Sequence, residues 1–368
     1  MDFQLSEEQV LLRDTTRDVL SRTYTIERRL EVIDSETGWS RDVWNQLAEI
    51  GLLGLGFEAD AGGQIEVMVA MTEVGRRLAP EPVVHAALGP GSLIAEVGTD
   101  EQKSVLDDVA AGQHLLAFAH FEPGSRGPSA AVTTTATQQG DSWTISGTKN
   151  PVLAGDAADT LVVSAALPDG GTGLFLVEAA AARRQPYRTF DGLRGAQIDF
   201  DAVPAQPLGT ATDASDAISR ALVRISSALC AEALGAMEES VRLTTEYLTQ
   251  RKQFGVTLSK FQTLTQRAAD MYVSLELARS MTFYAAMSIA DDNLDPVIAA
   301  RAKLQIGRSG RHISQESIQL HGGIGVTAEY PISHYAARLT AIEHTLGSSQ
   351  DQLHTLVGAL GDYDVVTV

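Results

Sequence analysis

The sequence predicts a mainly α chain with a central β domain: an N-terminal helical domain over 1–115, a middle antiparallel β-barrel over 116–212 and a C-terminal four-helix bundle over 213–368. Three observations carry this expectation. Apolar residues recur at helical spacing up to about Leu115, short β-rich runs separated by turns follow to about Thr210, and four long amphipathic segments joined by short breaks fill the remainder.

Ser6 before Glu7-Glu8 opens the first helix as its N-cap, with acids in the first turn, and Leu5, Val10, Leu11, Val19 and Leu20 give it an apolar side. Residues 44–52 form another amphipathic turn closed by Gly51, and 68–78 and 104–111 continue the helical pattern. In the middle region, 142–146 alternates polar with apolar, while 160–164 and 173–177 are apolar runs bounded by Gly, Pro and Asp, the spacing of a compact barrel or sandwich. Beyond Asp213, Ile218, Leu222, Ile225, Leu229, Ala233 and Met237 step by three or four along one stripe. That first long segment is expected to run to Gly255, and a second covers 261–290. Asp295-Pro296 starts a third that ends at Gly322-Gly323, and the fourth follows Tyr330-Pro331.

The bulk composition is globular, at 44% hydrophobic and 20% charged over 368 residues. A net charge of −19 repels nucleic acid and anionic membranes, and means that any anionic ligand needs a local basic pocket. The single cysteine, Cys230, excludes an internal disulfide framework and reads as a small buried hydrophobe. The first residues lack the positive flank and apolar run of a signal peptide, and no stretch reaches the ~20 apolar residues of a membrane helix, so a cytoplasmic chain is expected.

Taken singly, Arg251-Lys252-Gln253-Phe254-Gly255 is a helix end with a basic last turn and a stopping glycine, and Gly322-Gly323-Ile324-Gly325 is a tight connection that also suits phosphate approach. Their order is more specific. Arg-x-x-Phe-Gly, then Phe261-Gln262, then Gln319-x-x-Gly-Gly, then Tyr330-Pro331 resembles the C-terminal half of flavin-dependent acyl-CoA dehydrogenases, and the helix–β–helix order extends the resemblance to nearly the whole chain. It implies FAD as cofactor, with Arg251, Phe254, Gln262, Gln319, Gly322 and Gly323 contacting the ADP half of an FAD bound mainly by the neighbouring subunit. Arginine suits a pyrophosphate, phenylalanine packs on adenosine, and glycines admit the dinucleotide.

Two departures stand out. Family members carry a Thr-Glu-Pro run and a later Trp-Ile-Thr at the flavin ring. Here Phe121 replaces the first threonine in Phe121-Glu122-Pro123-Gly124-Ser125-Arg126, while Pro151 and Leu153 replace the tryptophan and the second threonine. Leucine and phenylalanine donate no side-chain hydrogen bond, which leaves the ring's polar edge unpaired at about 1–3 kcal/mol per group. The second departure is Leu346, which stands before Gly347 where the family places its catalytic glutamate; a leucine has no proton affinity, so no catalytic residue is assigned.

The resemblance is therefore to the non-catalytic subunit of bacterial heteromeric (α2β2) acyl-CoA dehydrogenases acting on steroid side-chain CoA esters. It implies a homologous catalytic partner in a heterotetramer. Two rivals stay open: a self-sufficient homo-oligomeric dehydrogenase with a relocated base, Glu343 before Glu232 or Glu238, and a non-enzymatic scaffold of the same fold. Glu343 otherwise reads as a solvated helix-face acid. His321, His334 and His344 lack metal-ligand spacing and read as packing or surface residues.

Overall fold

The computed structural model describes residues 4–57, 63–124, 127 and 131–362. Ser125 and Arg126, which follow the Glu-Pro-Gly run, lie outside them. Helices α1 (Glu7–Thr23), α2 (Ile26–Asp34), α3 (Arg41–Glu49), α4 (Gln64–Arg77), α5 (Gly89–Val97), α6 (Asp100–Lys103) and α7 (Val105–Ala110) come first. Seven strands follow: β1 (Leu116–Ala119), β2 (Thr135–Gln139), β3 (Ser142–Leu153), β4 (Thr160–Ala166), β5 (Thr172–Glu178), β6 (Arg183–Arg188) and β7 (Arg194–Pro207). The chain then returns to helix with α8 (Ser215–Gln250), the two-residue strands β8 (Lys252–Gln253) and β9 (Val256–Thr257), and α9 (Gln262–Ala290), α10 (Pro296–His321), α11 (Pro331–His344) and α12 (Ser349–Gly358). Among the described residues, no helix is long and apolar enough to cross a membrane.

Ser6 caps α1 through a reciprocal box with Gln9, and Asp295 caps α10 by accepting from the Val297 amide at 2.8 Å. Three expectations need correction. The C-terminal region carries a fifth helix, α12, whose start is set by a Ser348–Asp351 capping box. Helix α8 ends at Gln250 rather than Gly255, because residues 251–257 turn into a hairpin. The sheet is mixed rather than antiparallel: β4 runs parallel to β1 and, through Ala166, to the first residue of β2, and antiparallel to β5.

The chain divides into two compact units, one of 1–30, 68–79 and 226–368, the other of 31–67 and 80–225. In the second, the strand order is β1-β4-β2-β3-β7-β5, with β6 on β7 and a further β4–β5 pairing that returns to β4. Ile145, Val163, Phe175 and Ile198 fill its core, each fully buried. In the first unit, α4 and α8 meet backbone to backbone. A Cβ on Gly75 would stand 1.8 Å from the Glu232 carbonyl oxygen, and one on Gly235 would stand 1.8 Å from that of Thr72. Only glycine permits that crossing.

Candidate functional site

The hairpin after α8 pairs Lys252 with Thr257 and Gln253 with Val256. Its turn is Phe254-Gly255, with φ of +54° and +82°. Two successive left-handed residues suit a two-residue hairpin loop, but a phenylalanine adopts that conformation at a cost of about 1–2 kcal/mol. Little packing offsets the cost, for Phe254 is 92% exposed and its ring meets Phe261 edge-on at 6.2 Å. The Arg251 amide donates to the Tyr247 carbonyl and the Leu258 amide to the Arg251 carbonyl, both at 2.8 Å, which pins the hairpin to the end of α8. Arg251, Phe254 and Gln262 all face solvent.

Gln319 is exposed in the last turn of α10, and Gly322 follows with φ +67° and ψ −143°. A Cβ on Gly322 or Gly323 would meet no atom within 4 Å, so both present bare backbone to open space. An aromatic trio ties this turn to the hairpin. His321 is buried, bonds the Ser317 carbonyl through Nδ1 at 2.8 Å, and lies between Tyr247 at 4.4 Å and Tyr330 at 4.9 Å, centroid to centroid. Tyr247 stands one helical turn before Arg251, so the trio holds the cationic end of α8 beside the glycine turn. The predicted residues from distant parts of the sequence are thereby brought to one edge of the helical unit. Tyr247 and Tyr330 were missed as positioning residues, and only their place beside the motifs could have signalled them.

The other unit presents a different picture. Phe121 and Leu153 are half-buried and Pro151, preceded by a cis peptide bond, is exposed. Phe121 meets the His120 ring edge-on, and His120 stacks on Phe118, each at 5.2 Å. Glu122, next after Phe121, and Lys149, two residues before Pro151, form a buried ion pair at 2.8 Å. Lys149 is 0% exposed and also donates to the His120 carbonyl (3.0 Å) and Ser164 hydroxyl (3.2 Å). Glu122 accepts from the Thr134 amide at 2.8 Å, the Thr133 amide at 2.9 Å and the Thr133 hydroxyl. Burial alone would raise the Glu122 carboxyl, but these donors pull it down to about 2; burial lowers Lys149 to about 8 against the pull of its partner.

Leu346 sits in the α11–α12 turn with φ +62°, followed by Gly347 at +90°. It is 9% exposed, and its carbonyl accepts from Gln352 Nε2 at 2.8 Å. The fully buried Lys303 ammonium donates to the carbonyls of Ile342 (2.7 Å), Glu343 (3.0 Å) and Gly347 (3.4 Å). Glu343 is buried, not solvated as expected. It accepts from the Ser349 amide at 3.0 Å and lies 3.4 Å from Arg311 and 3.2 Å from His344. Burial would raise this carboxyl, but hydrogen bonding from the Ser349 amide and side chain, with His344 and Lys303 nearby, holds it below the ordinary range. Glu232 is paired with Arg338 at 2.6 and 2.8 Å, and Glu238 with Arg76 and Arg279. Each candidate acid thus already faces a basic side chain of the same chain.

Family models for the acyl-CoA dehydrogenase N-terminal and C-terminal domains match residues 6–113 and 217–360. The human mitochondrial short-chain specific acyl-CoA dehydrogenase is 30% identical over 97% of this chain and 91% of its own length. The chain belongs to the acyl-CoA dehydrogenase family. A short-chain specific member from Clostridium acetobutylicum is 28% identical over 98% of the chain and 100% of its own. Among solved structures of this family's fold, a steroid ACAD, Tcur3481-Tcur3483, superposes with a TM-score of 0.89 at 33% identity, covering 97% of this chain and 98% of that one. The ChsE4-ChsE5 complex from Mycobacterium tuberculosis has a TM-score of 0.89 at 24% identity over 99% and 100%, a likeness of fold.

Proposed function

We propose that this acyl-CoA dehydrogenase chain is a cytoplasmic, non-catalytic subunit that completes the FAD site of a homologous catalytic partner in a heterotetramer. The observation that carries this reading is an asymmetry. The hairpin and glycine-turn edge offers an exposed arginine, an outward phenylalanine and bare backbone, a set that fits the pyrophosphate and adenosine of FAD. Phe121, Pro151 and Leu153 offer a flavin ring no side-chain donor, and Leu346 offers no proton acceptor.

When bound, FAD supplies the hydride acceptor for α,β-dehydrogenation of an acyl-CoA thioester. In that reaction the partner's glutamate takes the α-proton. This chain's part is to grip. Arg251 pairs with the pyrophosphate, Phe254 covers the adenosine, and Gln262, Gln319, Gly322 and Gly323 line the remaining dinucleotide edge. The 33% identity to a protein described as a steroid ACAD supports a steroid side-chain CoA ester as substrate. A self-sufficient enzyme using Glu343 is disfavoured, because that carboxylate accepts from the Ser349 amide and lies beside two basic side chains.

Co-expression tests the reading. Purified alone, the chain should be colourless; purified with a glutamate-bearing dehydrogenase subunit, it should yield a yellow complex that acyl-CoA bleaches, and Arg251→Ala should strip the flavin from it. Colour and turnover from the chain alone would overturn the proposal in favour of a homo-oligomeric enzyme, and absence of colour with every partner would leave a scaffold.

A further inference from the structure

The longest acid-free run of this acid-rich sequence lies at the hairpin. No Asp or Glu occurs between Glu246 and Asp270, yet this stretch carries Arg251, Lys252, Lys260 and Arg267. Most neighbouring arginines are neutralised: Arg242 by Glu239 and Glu246, Arg267 by Glu316, and Arg279 by Glu238 and Glu276. Arg251, Lys252 and Lys260 are exposed and make no ion pair or side-chain hydrogen bond among the described residues. The fold also gathers them. The Leu258 amide closes on the Arg251 carbonyl at 2.8 Å, so the chain returns to the start of the hairpin just before Lys260. Lys260 then ends the short 3-10 turn that leads through Phe261 into Gln262 at the head of α9.

A single arginine does not match a pyrophosphate, which carries two negative charges. Moreover, the remainder of a chain of net charge −19 repels such a ligand and a flavin-loaded subunit presenting it. Building on the reading above, we propose that Lys252 and Lys260 are anion-guiding residues that draw the pyrophosphate of the partner-bound FAD onto Arg251 and set the ionic-strength dependence of its capture. Arginine supplies the directed fork, and the lysines supply mobile point charges that work at longer range. Exposed charges of this kind are screened over about 10 Å at 0.1 M salt. Their contribution therefore belongs to low ionic strength.

The test is FAD titration of the deflavinated complex of this chain with its glutamate-bearing partner, from low to high salt, comparing wild type with Lys252→Gln/Lys260→Gln. The double variant should bind FAD about tenfold more weakly at low salt and approach wild type at high salt, whereas Arg251→Ala should weaken binding at every salt. Equal FAD affinity of wild type and double variant at low salt would overturn this inference while leaving the subunit role intact. A double variant that weakens subunit assembly equally with and without FAD would also overturn it, because the lysines would then be reading the partner's protein surface. Unchanged flavin retention in Arg251→Ala would instead sink the underlying reading.

Discussion

The hairpin edge at 251–262 and the strand region around Glu122 and Lys149 are both motif-bearing, and they treat charge in opposite ways. In the strand region the two charges of the Glu122–Lys149 pair are buried and matched. Lys149 has a carboxylate, a carbonyl and a hydroxyl around its ammonium, and Glu122 is surrounded by amides and a threonine hydroxyl. At the hairpin three cations face solvent without a side-chain partner among the described residues, and a phenylalanine is held in a strained conformation with its ring outside. Satisfied groups stabilise a fold, and groups left unsatisfied at a cost in conformation point to something beyond the chain. The surviving Glu-Pro motif belongs, on this criterion, to architecture.

The largest effect that would sharpen the comparison is loss of Lys149. Lys149→Met leaves Glu122 as an uncompensated buried charge and should destabilise the chain by about 3–5 kcal/mol in denaturant titration. Adding Glu122→Gln should recover part of that loss, since replacing both partners removes the stranded charge. The pH dependence follows from the same pair. The Glu122 carboxyl is depressed when folded, so its contribution is present above the ordinary carboxylate range and should be lost as pH falls from about 4.5 toward about 2. Melting curves showing no acid-side loss relative to the double variant would mean that the pair is not the architectural element assigned to it.

How much of this was legible in the sequence depended on whether a signal was local. The Ser6 cap, the Asp295-Pro296 start of α10 and the Tyr330-Pro331 start of α11 were readable because capping and proline act within one turn. The sheet's parallel β1–β4 pairing was not, because register between strands some forty residues apart leaves no local trace. Helix α12 was missed because its apolar pattern is short. The burial of Glu343 was missed for a different reason: its hydrogen bond comes from Ser349 beyond a turn that the Lys303 and Gln352 hydrogen bonds define. The motif residues were visible one by one, but the Tyr247–His321–Tyr330 stack that assembles them was not.

A smaller effect distinguishes strain from function at the hairpin. Phe254→Gly removes a side chain from a left-handed turn position where glycine is unstrained, and it sacrifices almost no internal packing. The isolated chain should gain about 1 kcal/mol in stability, while FAD retention in the heteromeric complex should fall. Opposite signs in the two assays would show that the strain is kept for an external contact. A loss of stability in the isolated chain would place Phe254 among the packing residues and weaken the contrast drawn here.

The smallest expected effect is no gain at all. Leu346 occupies a turn whose conformation is already fixed, with its carbonyl held by Gln352 and its neighbours by Lys303. Leu346→Glu therefore places a carboxylate at the position proposed for the family's base without requiring a new backbone path. If the missing glutamate were the sole defect, that substitution would restore α,β-dehydrogenation. The strand region argues otherwise: Phe121, Pro151 and Leu153 still offer the ring no side-chain donor, and a proton acceptor without an adjacent hydride acceptor completes no oxidation. The variant, assayed alone with added FAD and an acyl-CoA, should remain inactive, and measurable turnover would show that the strand face accepts a flavin ring despite its three apolar replacements.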